Sequence, residues 1–189
     1  MKRFSFALAF LLPLSFFFLR GFSSFLPVLL PALWHEAGHL LAAFFLKIPL
    51  KSAAASVSGF SFTFSAPLQS YKKDALLALS GPFANLLAAA VLIPLLRRNP
   101  SSFWFTVLFA DLSLLIANLL PLAPLDGGRA LYAFLSLKFS PDRAAQVLRF
   151  LCPVILLPLT LFGIYLFRLG EGTVLFFAVL LWAETKRSF

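Results

Sequence analysis

Two histidines, His35 and His39, are the only ones in the chain, and Glu36 stands beside the first: His35-Glu36-Ala37-Gly38-His39. On a helix, residues i and i+4 stack on one face. Two imidazoles so placed can chelate one zinc ion, and a carboxylate beside them can take a proton from an attacking water. From this chain's own composition the H-E-x-x-H spacing arises by chance in roughly one such chain in three thousand. A catalytic zinc takes three protein ligands and keeps one position open. There is no third histidine, and the single cysteine, Cys152, lies in an apolar run, so the remaining ligand is a carboxylate. Asp74, Asp142, Glu171 and Glu184 fall in loops or at the ends of apolar runs, which leaves Asp111 and Asp126. Asp126 ends the stretch Asn118-Leu-Leu-Pro-Leu-Ala-Pro-Leu-Asp126-Gly-Gly-Arg129. There Pro121 and Pro124 stop a helix and Gly127-Gly128 permit tight turns, which suits an irregular, ligand-bearing loop. Asp111 stands seven residues before Asn118 on the same helical face, better placed for a polar contact between helices. A further signature, Ser80-Gly81-Pro82-Phe83-Ala84-Asn85, combines close helix approach at Gly81, a carbonyl freed by Pro82 and an amide at Asn85.

The elements that must position these residues are set by composition. The chain has 189 residues, about one domain, read as a single integral-membrane core over 1–189. It is 61% hydrophobic and 12% charged, with mean hydropathy +0.94. A soluble domain has about 25% charged residues, and disorder needs low hydrophobicity; both classes are excluded. The net charge of +9 is spread over singles and adjacent pairs of Lys and Arg. That is loop decoration between membrane spans rather than a nucleic-acid surface. One cysteine excludes an intrachain disulfide and Cys-rich metal clusters.

A bilayer span needs about 20 apolar residues. Runs of that kind cover Phe4–Leu19, Ser24–Leu46, Ala75–Leu96, Phe103–Pro121 and Phe150–Phe167, with a shorter one at Thr173–Ala183. The expected fold is therefore an all-α polytopic membrane protein of about six transmembrane helices with a re-entrant Asp-Gly loop. Phe4–Leu19 lacks a small-residue cleavage site and reads as a retained helix. With the N-terminus inside, only Arg20, Arg97, Arg98 and Arg168 of the 16 basic residues fall outside, so both termini are expected in the cytoplasm. Between the second and third runs, Phe60, Phe62 and Phe64 alternate with Ser61, Thr63 and Ser65. That period of two reads as a small membrane-associated strand or hairpin, or as an amphipathic loop resting on headgroups.

Together, His35-Glu36-Ala37-Gly38-His39, Gly81-Pro82-Phe83-Ala84-Asn85 and Leu125-Asp126-Gly127 resemble the site-2 protease family (peptidase family M50), the intramembrane zinc metalloproteases. The stretch from Asn118 to Arg129 is most similar to the subgroup containing the sporulation protease that trims a sigma-factor precursor. The resemblance implies zinc held by His35, His39 and Asp126, with Glu36 as general base. It implies that the strand carrying Phe60, Phe62 and Phe64 pairs with unwound substrate and that Asn118 lines the substrate path. Gly81, Pro82 and Asn85 would support the site. Relatives carry a nucleotide-sensing or a PDZ domain; neither is expected in these 189 residues. Asp111 stands where relatives are expected to have Asn.

The expected activity is cleavage of a membrane-embedded or membrane-tethered protein near the cytoplasmic face of a bacterial membrane, a transcription-factor precursor being one such substrate. The expected partners are the bilayer, that substrate and a regulatory membrane protein, with no nucleic acid. Two alternatives use the same residues: a zinc-dependent transporter or metal-handling protein, and an inactive protease-like scaffold. A permeation path needs polar residues strung along the spans, whereas here they cluster. The complete His35, Glu36, His39, Asp126 set speaks against a scaffold.

Overall fold

The structure, a computed structural model, describes residues 22–56, 59–64 and 70–188. The first apolar run, Phe4–Leu19, lies outside the described residues. Six helices and one hairpin follow in chain order: α1 (Phe22–Phe45), β1 (Leu50–Ser56), β2 (Gly59–Phe64), α2 (Tyr71–Arg98), α3 (Ser102–Leu119), α4 (Asp126–Lys138), α5 (Pro141–Arg168) and α6 (Thr173–Ser188).

Among the described residues four helices are long and apolar enough to cross a membrane: Leu26–Phe45 within α1, and α2, α3 and α5 whole. The 28 residues of α2 and of α5 reach about 42 Å at 1.5 Å per residue. α6 has 16 residues, about 24 Å, short of the roughly 30 Å hydrocarbon layer. Large apolar side chains face outward on every spanning helix, as with Phe44, Val91, Phe109 and Phe150. That is the pattern expected where lipid is the solvent. Inside, small residues set the helix spacing: Ala32, Ala75, Ala78, Ala89, Ala130 and Ala133 are all buried.

α2 is central and packs against α1, α3 and α4, while α5 and α6 pack on each other. The segment between α3 and α4 ties the two groups together. Leu122, Ala123 and Leu125 are buried against Cys152 and Leu156 of α5 and Leu181 of α6. α1 ends sharply because Lys47 takes a left-handed φ of 54°. The Ile48 amide then reaches back to the Ala43 carbonyl at 2.9 Å, and Ile48 packs beside Ala43 and Leu77. This is a Schellman-type stop with its usual apolar contact.

β1 and β2 pair antiparallel, Leu50 opposite Phe64 and Ser56 opposite Gly59, with an irregularity between Leu50 and Ser52. β2 coincides with the alternating phenylalanines, and its partner β1 is the strand whose position the sequence did not locate. β1 reads Leu-Lys-Ser-Ala-Ala-Ala-Ser, and alanine and serine carry little strand preference or alternation.

Two expectations are corrected. Asp126-Gly127-Gly128 do not form a re-entrant turn; they open α4. The turn sits just before them, where the Leu122 amide bonds Leu120 O at 2.8 Å and the Leu125 amide bonds Leu122 O at 2.9 Å. The glycines serve close packing: a Cβ on Gly127 would strike the Leu119 carbonyl, and one on Gly128 the Leu122 carbonyl. The stretch expected as inner loop, 122–149, contains α4 and the first two turns of α5, announced by Ser140 as N-cap and Pro141 at the first helical position.

Candidate metal centre

α1 carries His35, Glu36 and His39 through the middle of the bundle. His35 and His39 are 1% and 0% exposed, and their rings meet edge to face with centroids 4.8 Å apart. α4 brings Asp126 in from a distant part of the chain. Its Oδ2 lies 3.0 Å from His35 Nε2 and 3.1 Å from His39 Nε2, and the two Nε2 atoms are 3.2 Å apart. Ligands about 2.0–2.1 Å from a tetrahedral zinc stand about 3.3 Å from one another. The three donor atoms therefore already form the face of such a tetrahedron, and His35, His39 and Asp126 could hold a metal ion.

Hydrogen bonds behind the ligands fix this geometry. His39 Nδ1 donates to Leu77 O at 2.8 Å and lies 3.2 Å from Ser80 Oγ. His35 Nδ1 is 2.6 Å from Asn85 Oδ1. Each ring so spends its Nδ1 hydrogen on an oxygen and turns Nε2 toward Asp126. α1 and α2 are also pinned by Trp34 Nε1 donating to Ala84 O at 2.7 Å. Gly81 lies directly beneath the imidazoles: a Cβ there would sit 2.6 Å from His35 Nε2 and closer still to His39 Nε2. Only a residue without a side chain leaves the ligand face open.

Glu36 is 5% exposed, and neither carboxylate oxygen has a hydrogen-bond partner among the described residues. A buried carboxylate without a partner is costly in a membrane and marks a functional group. The orphaned Glu36 carboxylate, the cleared space above Gly81 and the hard anionic and imidazole donor set all fit a zinc ion.

Residues 94–159 match the family model for peptidase family M50. Asp126 lies inside the matched segment, and the fold brings His35 and His39 to it from outside. Over residues 94–159 the chain is similar to peptidase family M50. Among solved structures, the chain superposes on the "Site-2 Protease from Methanocaldococcus jannaschii" with a TM-score of 0.71 and 18% identity, covering 97% of this chain and 87% of that one. At that identity the likeness is one of fold. No curated protein matches the sequence. That likeness accords with the four helices among the described residues that are long and apolar enough to cross a membrane.

The remaining sequence candidates fall around this centre. Pro82 is buried beside Gly81 on α2. Asn118 is 9% exposed, and its amide donates back to Leu114 O at 3.1 Å within α3. Phe60, Phe62 and Phe64 occupy alternate positions of β2; their side chains lie outside what the structure describes. Asp111, weighed as a ligand, is instead the bundle contact: its Oδ1 accepts from Asn85 Nδ2 at 2.6 Å.

Sequence reasoning gave no role to Arg129, Ser80 or the Leu77 carbonyl. Arg129 Nη1 donates to Asp126 Oδ1 at 3.4 Å, one helical turn away. Burial pulls its guanidinium down to about 10, against the opposing pull of Asp126, Asp74 and Glu36, so it stays cationic at neutral pH. Burial opposes ionisation of Asp126, but the two imidazoles facing it outweigh that and hold the carboxyl below the usual range. The i, i+3 spacing of Asp126 and Arg129 on a helix was the available signal; it went unused because 122–149 read as a loop.

Proposed function

We propose that the chain is an intramembrane zinc endopeptidase that cuts a membrane-embedded or membrane-tethered protein near the cytoplasmic face. The observation that carries this reading is the convergence of His35, His39 and Asp126 beside the partnerless Glu36 carboxylate inside a helix bundle. Zinc bound by the three ligands would supply a Lewis acid that polarises the scissile carbonyl and acidifies a water. Glu36 takes a proton from the attacking water at its carboxylate and delivers it to the leaving amine. Arg129 donates to Asp126 Oδ1 and holds that carboxylate in place.

A transmembrane helix hides its carbonyls in hydrogen bonds, so the substrate must unwind before it is cut. We place the unwound segment against an edge of the β1–β2 hairpin, where main-chain pairing would hold it open. Phe60, Phe62 and Phe64 would contact it, and Asn118 would line its path. The Lys and Arg distribution supports cytoplasmic termini and cleavage on that side. Likeness to the sporulation subgroup supports a bacterial cytoplasmic membrane, a transcription-factor precursor as substrate and control by a membrane partner.

The test is co-expression with membrane-tethered candidate substrates, comparing wild type with Glu36→Gln. The variant is expected to bind zinc and to lose about 10²–10⁴ in cleavage rate. Equal cleavage by the two proteins would remove the protease assignment.

A further inference from the structure

We propose that Asp111, acting through Asn85, decides which nitrogen of His35 carries the proton, and thereby sets the affinity of the His35–His39–Asp126 centre for a divalent cation. The proposal rests on the reading that this centre holds the metal. It makes Asp111 a positioning residue, since it touches neither metal ligand site nor substrate path directly.

An amide side chain has a donor end and an acceptor end, and its surroundings choose which way it points. Asn85 is fully buried between α1 and α3. On one side it meets Asp111 Oδ1 at 2.6 Å and the Pro31 carbonyl at 3.4 Å. A carboxylate and a carbonyl accept hydrogen bonds, so that side must be the Nδ2 end. Oδ1 is then left for His35 Nδ1 at 2.6 Å. An amide oxygen only accepts, so His35 must carry its proton on Nδ1. Its Nε2 keeps the lone pair that a metal needs. Turning the amide over would present N–H to Nδ1, move the imidazole proton to Nε2 and block coordination.

The Pro31 contact is long, so Asp111 is the principal acceptor that holds the amide. Asp111 is 1% exposed on a spanning helix, and its Oδ2 has no hydrogen-bond partner among the described residues. A buried carboxylate is an expensive way to fill space; a leucine would pack the same site. His39 provides an internal contrast. Its Nδ1 is fixed by a backbone carbonyl, Leu77 O, which cannot turn over. Only the His35 half of the site depends on a side chain two contacts away.

The experiment uses the full chain in detergent, with Zn2+ affinity measured by chelator competition and Co2+ binding followed by its d–d absorption. Asp111→Leu is expected to bind both ions about 10–100-fold more weakly, the range for loss of a group that orients a ligand, with an altered cobalt spectrum. Asp111→Asn still offers an oxygen to Asn85 and should stay within about threefold of wild type with the same spectrum. Asn85→Asp alone sets two carboxylates face to face and should weaken binding. Adding Asp111→Asn to it lets the new carboxylate at 85 accept from both His35 and the new amide, and should regain about tenfold. Asp111→Leu that matches wild type in affinity and spectrum overturns the proposal and leaves the metal reading standing. If Asp111→Leu does not fold, the swap decides: a double variant no better than Asn85→Asp overturns it. Wild type that binds neither ion overturns the metal reading, and this proposal with it.

Discussion

Gly81→Ala isolates the metal site from the fold. The added Cβ would lie 2.6 Å from His35 Nε2 and 2.7 Å from His35 Cε1, and nearer still to His39 Nε2. Ordinary non-bonded contact begins at about 3.5 Å, so the rings or the whole of α1 must retreat by about 1 Å. A functional constellation tolerates displacements of about 0.5 Å. Two of three ligands are thus moved past that limit at once, and zinc affinity should fall about 100-fold, which is about 2.8 kcal/mol. Stability of the metal-free protein should change far less. Alanine gains about 1 kcal/mol over glycine in a helix interior, while overpacking costs about 1–3 kcal/mol. The net effect is between about zero and 2 kcal/mol. Gly163→Ala is the matched control, since its Cβ would sit 2.8 Å from Leu175 Cα at the α5–α6 crossing. It should carry the same packing penalty and leave zinc binding untouched. The assay pairs chelator competition with thermal unfolding of the metal-free protein. Wild-type zinc affinity in Gly81→Ala would refute the placement of the metal above Gly81.

Chelation should abolish cleavage and re-added zinc restore it in wild type but not in Asp126→Ala, read on a membrane-tethered reporter; cleavage that persists without metal would sink the zinc assignment. Arg129→Met leaves Asp126 buried without its cation and should cost about 3–5 kcal/mol, seen in thermal unfolding. An unchanged melting temperature would show that the Asp126–Arg129 contact contributes nothing. Tags on the two termini should both be shielded from an external protease in intact cells; one tag on each side would reverse the topology.

The candidate metal cluster was readable from sequence because it is made of rare residues at diagnostic spacing. Two histidines four apart on an apolar run leave few alternatives, and counting the remaining acids narrows the third ligand to Asp111 or Asp126. Periodicity could not show where those acids point. Asp126 was placed correctly at the bundle but in the wrong local structure, because Pro121, Pro124 and two glycines signal a loop whether they break a chain or let a helix crowd against one. The close approach of Gly127 and Gly128 to the Leu119 and Leu122 carbonyls is a tertiary fact. β1 was invisible for a different reason: a strand of alanine and serine has no apolar rhythm, and only its partner β2 identifies it. The Asp111–Asn85–His35 chain joins three helices across separations of 26 and 50 residues, a link that no local pattern encodes.

Charge balance gives a separate reason to expect a divalent cation in this bundle. Glu36, Asp111 and Asp126 are buried acids around one site. Among the described residues the guanidinium that faces them is Arg129, whose influence reaches Asp126 and Glu36, and also Asp74 on the half-buried first turn of α2. Three buried carboxyls face one guanidinium, and holding negative charge there away from water is costly in a low dielectric. Hydrogen bonds offset part of this at Asp111, which accepts from Asn85. At Glu36 they offset none of it, because neither oxygen has a partner. The two imidazoles have turned Nε2, the atom able to bind a cation, toward Asp126. A divalent ion at that point would favour the ionised forms of these carboxyls. It also explains why the only histidines of the chain, a buried orphan carboxylate and a glycine that cannot bear a methyl group meet within a few ångströms in a bundle otherwise built of alanine and leucine.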